Sequence, residues 1–224
     1  MSNIFGVTSG DSPETLLTNG YQLYDWVVRM NQFPAFWGRG ILGNQAVSRE
    51  EIEFLHKKNC KVVLIHNDLT EAAVSTNDGY QEAIRAVEAA GELGAPKDRG
   101  IALFAEFGSD WSLHHNWMMS YAQAVADNGY IPGFIGNTDS SLNFNFDRQY
   151  SHYINATREM KGYEAVCWAT EPKMQGELCA WTPFCPSALQ PNEISLWSTG
   201  RIRLNQITAE EVYARDAQVL SCMW

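Results

Sequence analysis

Short apolar runs alternate with longer stretches of helical period along most of the chain. That alternation sets the expected fold. Residues 4–10 (IFGVTSG) read as a first strand. Ser12-Pro13-Glu14 then offers a cap and a proline at the first helical position, predicting a helix that turns Leu16, Leu17, Tyr21 and Tyr24 inward. Residues 33–41 read as a second strand. Ser48 and Glu51 have capping-box spacing and predict a helix with Ile52, Leu55 and His56 on its inner face. Residues 61–67 (KVVLIHN) are apolar until their end, as in a strand covered on both faces. The Ala- and Glu-rich segment 78–93 predicts a helix stopped by Gly94-Ala95-Pro96. Strands are expected at 101–107, 130–136 and 165–170, and helices at 110–128 and 147–161. Residues 172–193 are broken by four prolines and read as irregular, with a short seventh strand at 178–181. An eighth strand is expected at 194–198 and a last helix at 208–219.

Strands alternating with helices imply parallel strands joined by crossovers. At this length the expectation is an α/β fold, a (β/α)8 TIM-type barrel in a single domain over residues 1–224, irregular or incomplete around strands seven and eight. An open doubly wound sheet is the runner-up. Its first turn usually carries a Gly-rich phosphate loop, whereas here the chain reads Thr8-Ser9-Gly10-Asp11-Ser12-Pro13.

In a parallel barrel the C-terminal strand ends form the face that carries chemistry. The expected contributors are Thr8, Ser9 and Asp11, then Arg39, then His66, Asn67 and Asp68, then Glu106, Asp110 and Trp111. Asn137, Asp139, Trp168, Glu171, Trp181 and Trp197 follow from the later strands. Carboxylates among indoles suit a carbohydrate, whose ring faces stack on aromatics while its hydroxyls meet polar groups. Glu106 is the most informative residue, since a charge closes an otherwise apolar strand. Desolvation there would favour the protonated acid that a general acid needs, or Glu106 pairs with Arg39 at the rim. Asp11 and Asp68 are the other catalytic candidates, although Asp11 can equally cap a helix. Asp110 fits an N-cap, and His66 fits a hydrogen-bonded core histidine. Arg39, Asn137 and Glu171 are candidates to position the sugar, with Trp168 and Trp197 as stacking surfaces.

Charge and cysteines narrow the picture. A net charge of −10 argues against binding nucleic acid or an anionic membrane surface. No apolar run is long enough to insert in a membrane. The first residues lack a secretory leader pattern, so synthesis in the cytoplasm and delivery by another route are expected. Five cysteines without a C-x-x-C pair fit reduced thiols rather than a zinc site. His114 and His115 are adjacent, and neither H-x-x-x-H nor H-E-x-x-H occurs, so neither a metal nor another cofactor is expected. A G-x-S-x-G elbow is likewise missing.

The order of motifs adds a resemblance. A Gly6-Val7-Thr8 strand is followed by FWGRGI, an REE helix, KVVLIHND, GYQEAIRAVEAAGELGAP, IALFAEF and a GY-x-PGFIG run. This resembles the DUF1906 family, glycoside-hydrolase-like barrels related to the family 25 lysozymes. The resemblance implies a barrel acting on, or binding, an amino-sugar polymer such as peptidoglycan. It also implies an acid on strand four, close to Glu106. Gly108 stands where the lysozymes carry a second acid, and Thr8 stands where their first strand carries an aspartate. Asp11, Asp68 or Asp110 could replace a lost partner. Alternatively the substrate's own N-acetyl group could serve as nucleophile beside one acid. Two further readings are a catalytically inactive glycan-binding barrel and a delivered antibacterial effector or phage lysin of the same fold.

Overall fold

The computed structural model describes residues 3–142, 145–160, 163–172, 180–204 and 207–224. Eight strands form a closed barrel in sequence order. They are β1 (Ile4–Ser9), β2 (Phe36–Gly40), β3 (Lys61–His66), β4 (Ala102–Glu106), β5 (Ile131–Gly136), β6 (Val166–Ala169), β7 (Leu196–Leu204) and β8 (Ile207–Ala214). Around them lie α1 (Leu23–Met30), α2 (Arg49–Lys57), the four-residue α3 (Glu71–Val74), α4 (Tyr80–Leu93), α5 (His115–Asp127) and α6 (Asn145–Thr157).

The strands from β1 to β7 pair in parallel. Then the pattern changes. β8 returns from β7 as an antiparallel hairpin and closes the ring antiparallel to β1, from Ile4 opposite Ala214 to Ser9 opposite Ala209. The helix expected at 208–219 is therefore a strand as far as Ala214, followed by turns. Its Ile, Thr, Val and Tyr are β formers, and its period of two sends Val212 and Ala214 inward while Ala209 faces out. The eighth strand expected at 194–198 is the start of β7. Of the strand expected at 178–181, residues 178 and 179 lie outside the described residues, and Ala180 and Trp181 belong to no strand.

Two buried layers follow from strand alternation. Phe36, Val63, Ile65, Ala102, Phe104, Ile135, Trp168, Leu196 and Val212 fill the barrel. Their sequence neighbours, such as Val7, Trp37, Leu64, Leu103 and Phe134, face the helices. Val219, Cys222 and Met223 join the inner cluster and stop the N-terminal end of the barrel. Trp224 is tied to Val62 there by two backbone hydrogen bonds of 2.7 and 3.0 Å. The end where β1 to β7 finish carries the open cleft.

Some helix starts differ from expectation. The chain after Ser12 folds into turns rather than a helix. Gly20 takes φ +83°, and the Asn19 side chain accepts from the Tyr21 amide, so the Thr18-Asn19-Gly20 turn outcompetes the Ser12-Pro13 start. Leu17 and Tyr24 are buried as expected, but Leu16 and Tyr21 are exposed. The cap at Ser48 forms, its hydroxyl accepting from the Glu51 amide at 3.2 Å. Ile52 and Leu55 are buried there, but His56 is exposed and Glu51 takes the third inner place. α5 begins with His114 as its cap rather than Asp110, because residues 108–114 are spent on a loop.

A barrel this narrow holds its rings by leaving opposite positions bare. A Cβ on Gly133 of β5 would meet Cδ1 of Phe104 at 2.6 Å, and one on Gly6 of β1 would meet the Phe36 ring at 2.4 Å. Gly133→Ala is expected to destabilise the chain by about 1–3 kcal/mol through overpacking, seen as a lower urea midpoint at unchanged slope.

Candidate active site

The open end of the barrel carries a cleft of about 580 Å³. Its wall is set by alternation: on β4, Ala102 and Phe104 point inward, so Glu106 at the strand's end points into the mouth. On β8 the same parity brings Glu210 inward, opposite Thr8 of β1 in register. β4 and β8 are four strands apart in a ring of eight, so Glu106 and Glu210 enter the mouth from opposite sides. Asp11 follows β1 and Glu171 follows β6, and both line the same cleft. Asn67, Gln45, Ser109 and Thr170 add hydrogen-bonding groups, while Ile65 and Phe107 add apolar wall. Below Glu106 the barrel is filled by Phe104 packed edge-on against Trp168, ring centroids 5.8 Å apart.

Several expected site residues stand elsewhere or do other work. Glu106 itself is exposed rather than buried, because its side chain rises above the filled layer and lines the cleft. Arg39 lines the cleft but has no donor to spare. Nε and Nη2 reach Glu51 of α2 at 2.5 and 3.4 Å, Nη1 reaches the Ser9 and Gly10 carbonyls at 2.9 and 2.5 Å, and Nη2 also reaches the Gln45 carbonyl at 3.0 Å. All five N–H groups of the guanidinium are thereby engaged. It ties the loops after β1 and β2 to α2, and the expected pairing with Glu106 is replaced by one with Glu51.

Trp168 and Trp197 are not stacking surfaces. Trp168 is inside the barrel, its indole N–H donating to Ser198 Oγ at 2.9 Å. Trp197 has the opposite parity and is buried in the outer layer, donating to the Pro172 carbonyl at 3.1 Å. No indole lines the cleft among the described residues. Asn137 is buried, and its side chain accepts from the Asp139 amide at 2.9 Å.

Asp68 lies outside the cleft, on the helix side of β3. His66 is fully buried there, with Nδ1 3.4 Å from the Tyr121 hydroxyl and Nε2 3.1 Å from Asp68 and 3.5 Å from Glu82. Arg85 spans both carboxylates at 2.5 and 2.6 Å. Burial outweighs the pull of the two carboxylates and lowers the His66 pKa to about 4. His66 is thus a neutral packed imidazole, and Asp68 is committed to a structural ion cluster. Cys167 is buried against α6, and desolvation pushes its thiol well up, so it is not a nucleophile.

Glu210 is the residue that sequence reasoning missed. It was hidden in a segment read as helix; the alternation Thr208, Glu210, Val212, Ala214 was the available signal. Among the described residues no group of His, Cys, Asp and Glu side chains is arranged to hold a metal ion.

No family model matches the chain, and no curated protein does. Solved structures do. An uncharacterized B. stearothermophilus protein superposes with a TM-score of 0.81 at 24% identity, covering 99% of this chain and 100% of that one. The Mycobacterium tuberculosis Tat-secreted protein Rv2525c, crystallised with HEPES, superposes with a TM-score of 0.61 at 12% identity over 96% of each chain. Its L-tartrate form gives 0.60 at 12% identity, over 97% of this chain and 98% of that one. At such identities the likeness is one of fold, and it extends over nearly the whole length of each chain.

Two outcomes are expected. Arg39→Met strands the buried Glu51 carboxylate and should cost about 3–5 kcal/mol in urea unfolding. Folded His66 stays neutral down to about pH 4, while the unfolded side chain takes up a proton below pH 6.5. Acid therefore favours the unfolded chain in that window. About 3 kcal/mol of stability should be lost between pH 6.5 and 4 in the wild type and retained in His66→Gln, as read from urea midpoints across pH.

Proposed function

We propose that this chain is a glycoside-hydrolase-like barrel that cleaves amino-sugar polymers of the peptidoglycan type, with Glu106 as the general acid/base. The observation that carries the reading is the position of Glu106. It is directed into the open mouth from the end of β4, where strand-end carboxylates of such barrels meet substrate. Glycosidic cleavage needs a proton for the leaving oxygen and a second group on the other side of the sugar. Glu210 approaches from across the mouth and fits the second role, activating a water or stabilising the positive charge that develops at the anomeric carbon. Asp11, Asn67, Thr170 and Glu171 are placed to hold ring hydroxyls. A sugar seated between Glu106 and the apolar wall of Ile65 and Phe107 would exclude water from the acid, supplying in the complex the desolvation that the open mouth lacks.

The resemblance of the motif order to the glycoside-hydrolase-like barrels supports the substrate class. Such a polymer lies in the cell wall, so the reading carries delivery of the chain to the wall with it.

The test is release of soluble muropeptides from purified peptidoglycan, followed by chromatography. The wild type should release them, and Glu106→Gln should lower the rate about 10²- to 10⁴-fold with unchanged unfolding midpoint. Glu210→Gln should also slow release. Equal release by wild type and Glu106→Gln would remove Glu106 from the chemistry.

A further inference from the structure

A second groove, on the outside of the barrel, has the chemistry of a saccharide-holding surface. After β6 the chain returns to β7 without an α-helix among the described residues, so this part of the wall is covered by irregular chain. Trp181 lies on that cover. Its ring meets the buried Trp197 edge-on at 5.6 Å, and its indole N–H donates to the Pro191 carbonyl at 2.9 Å. The ring is therefore held in one orientation while remaining only partly buried. Beside it opens a groove of about 660 Å³, lined with Asn3, Gln190, Asn192, Pro191 and Arg215. Asn3 precedes β1 and Arg215 follows β8, so the groove sits toward the stopped end of the barrel, away from the mouth. Arg215 is also fixed, bonded to the Asn192 carbonyl and, at 2.8 Å, to Asp216.

We infer that the Trp181 groove binds a sugar chain. A fixed indole offers an apolar platform for the C–H face of a pyranose. Primary amides on Asn3, Gln190 and Asn192 carry paired donors and acceptors, the complement of vicinal hydroxyls and acetamido groups. Arg215, held by Asp216 and the Asn192 carbonyl, brings a guanidinium edge to the same wall. A proline-rich peptide also uses aromatic grooves, but it calls for a row of rings, and here one indole stands among amides. The groove stands apart from the mouth, and its binding does not depend on turnover there.

NMR titration with the tetramer of N-acetylglucosamine separates the two sites. The indole N–H signal of Trp181, assigned by its loss in Trp181→Phe, should shift and saturate. The side-chain amides of Gln190 and Asn192 should move with it, and the backbone amides of Ser109 and Thr170 report on the mouth. Ala180→Arg adds bulk at an exposed position of the groove without removing the Trp181–Trp197 contact. It should weaken the groove response at least tenfold and leave the mouth response unchanged. No shift at Trp181 up to millimolar tetramer, or an equal shift in Ala180→Arg, overturns the inference. So does a polyproline decamer that shifts Trp181 where the tetramer does not. A silent mouth with a responding groove would count against the proposed function alone.

Discussion

Everything at the mouth depends on the antiparallel pairing of β8 with β1. Six consecutive residue pairs, Ile4 with Ala214 through Ser9 with Ala209, turn an open parallel sheet into a closed ring. An open edge at β1 would leave a row of backbone groups unpaired, and the inner rings would lose a wall. The same pairing fixes Glu210 beside Thr8 and so opposite Glu106. Reversing the last strand thus does two jobs: it closes the barrel with a short hairpin where a crossover would need many more residues, and it places a carboxylate on the rim.

Closure also decides what the aromatic side chains do. Inside a ring this small, one bulky residue per level needs a glycine near it. Phe104 lies against Gly133 and Phe36 against Gly6. Trp168 completes the filling beneath the mouth, packed edge-on against Phe104. Indoles that looked available for stacking are consumed in holding the barrel shut. The rim is kept in shape by Arg39, whose five donors bind loop carbonyls and Glu51. A cation committed in this way sets geometry and does not reach for a ligand.

The parts of this arrangement that were legible in the sequence were those governed by local pattern. KVVLIH and IALFAE could only be buried strands, and the capping box at Ser48 and the stop at Gly94 follow from short-range chemistry. The mouth position of Glu106 followed from the strand's end. What escaped were the features governed by parity and long-range pairing. Whether an indole on a strand faces the barrel or the helices depends on register, and Trp168 and Trp197, close in strand level, point to opposite layers. Asp68 took the outward side for the same reason and met His66 and Arg85 there. The segment from Thr208 reads as a last helix, yet its neighbours β7 and β1 make it a strand as far as Ala214, with tertiary pairing overriding local pattern. Glu210 was lost with it.

The decisive contact is that of a sugar with Glu106 in the mouth. The most direct measurement is a crystal structure of Glu106→Gln with a bound peptidoglycan oligosaccharide. A glycosidic oxygen is expected within about 3 Å of the side-chain amide that replaces the Glu106 carboxyl group, with Glu210 on the far face of the same sugar ring. A saturated crystal with the oligosaccharide bound elsewhere and the mouth filled by water alone would contradict it.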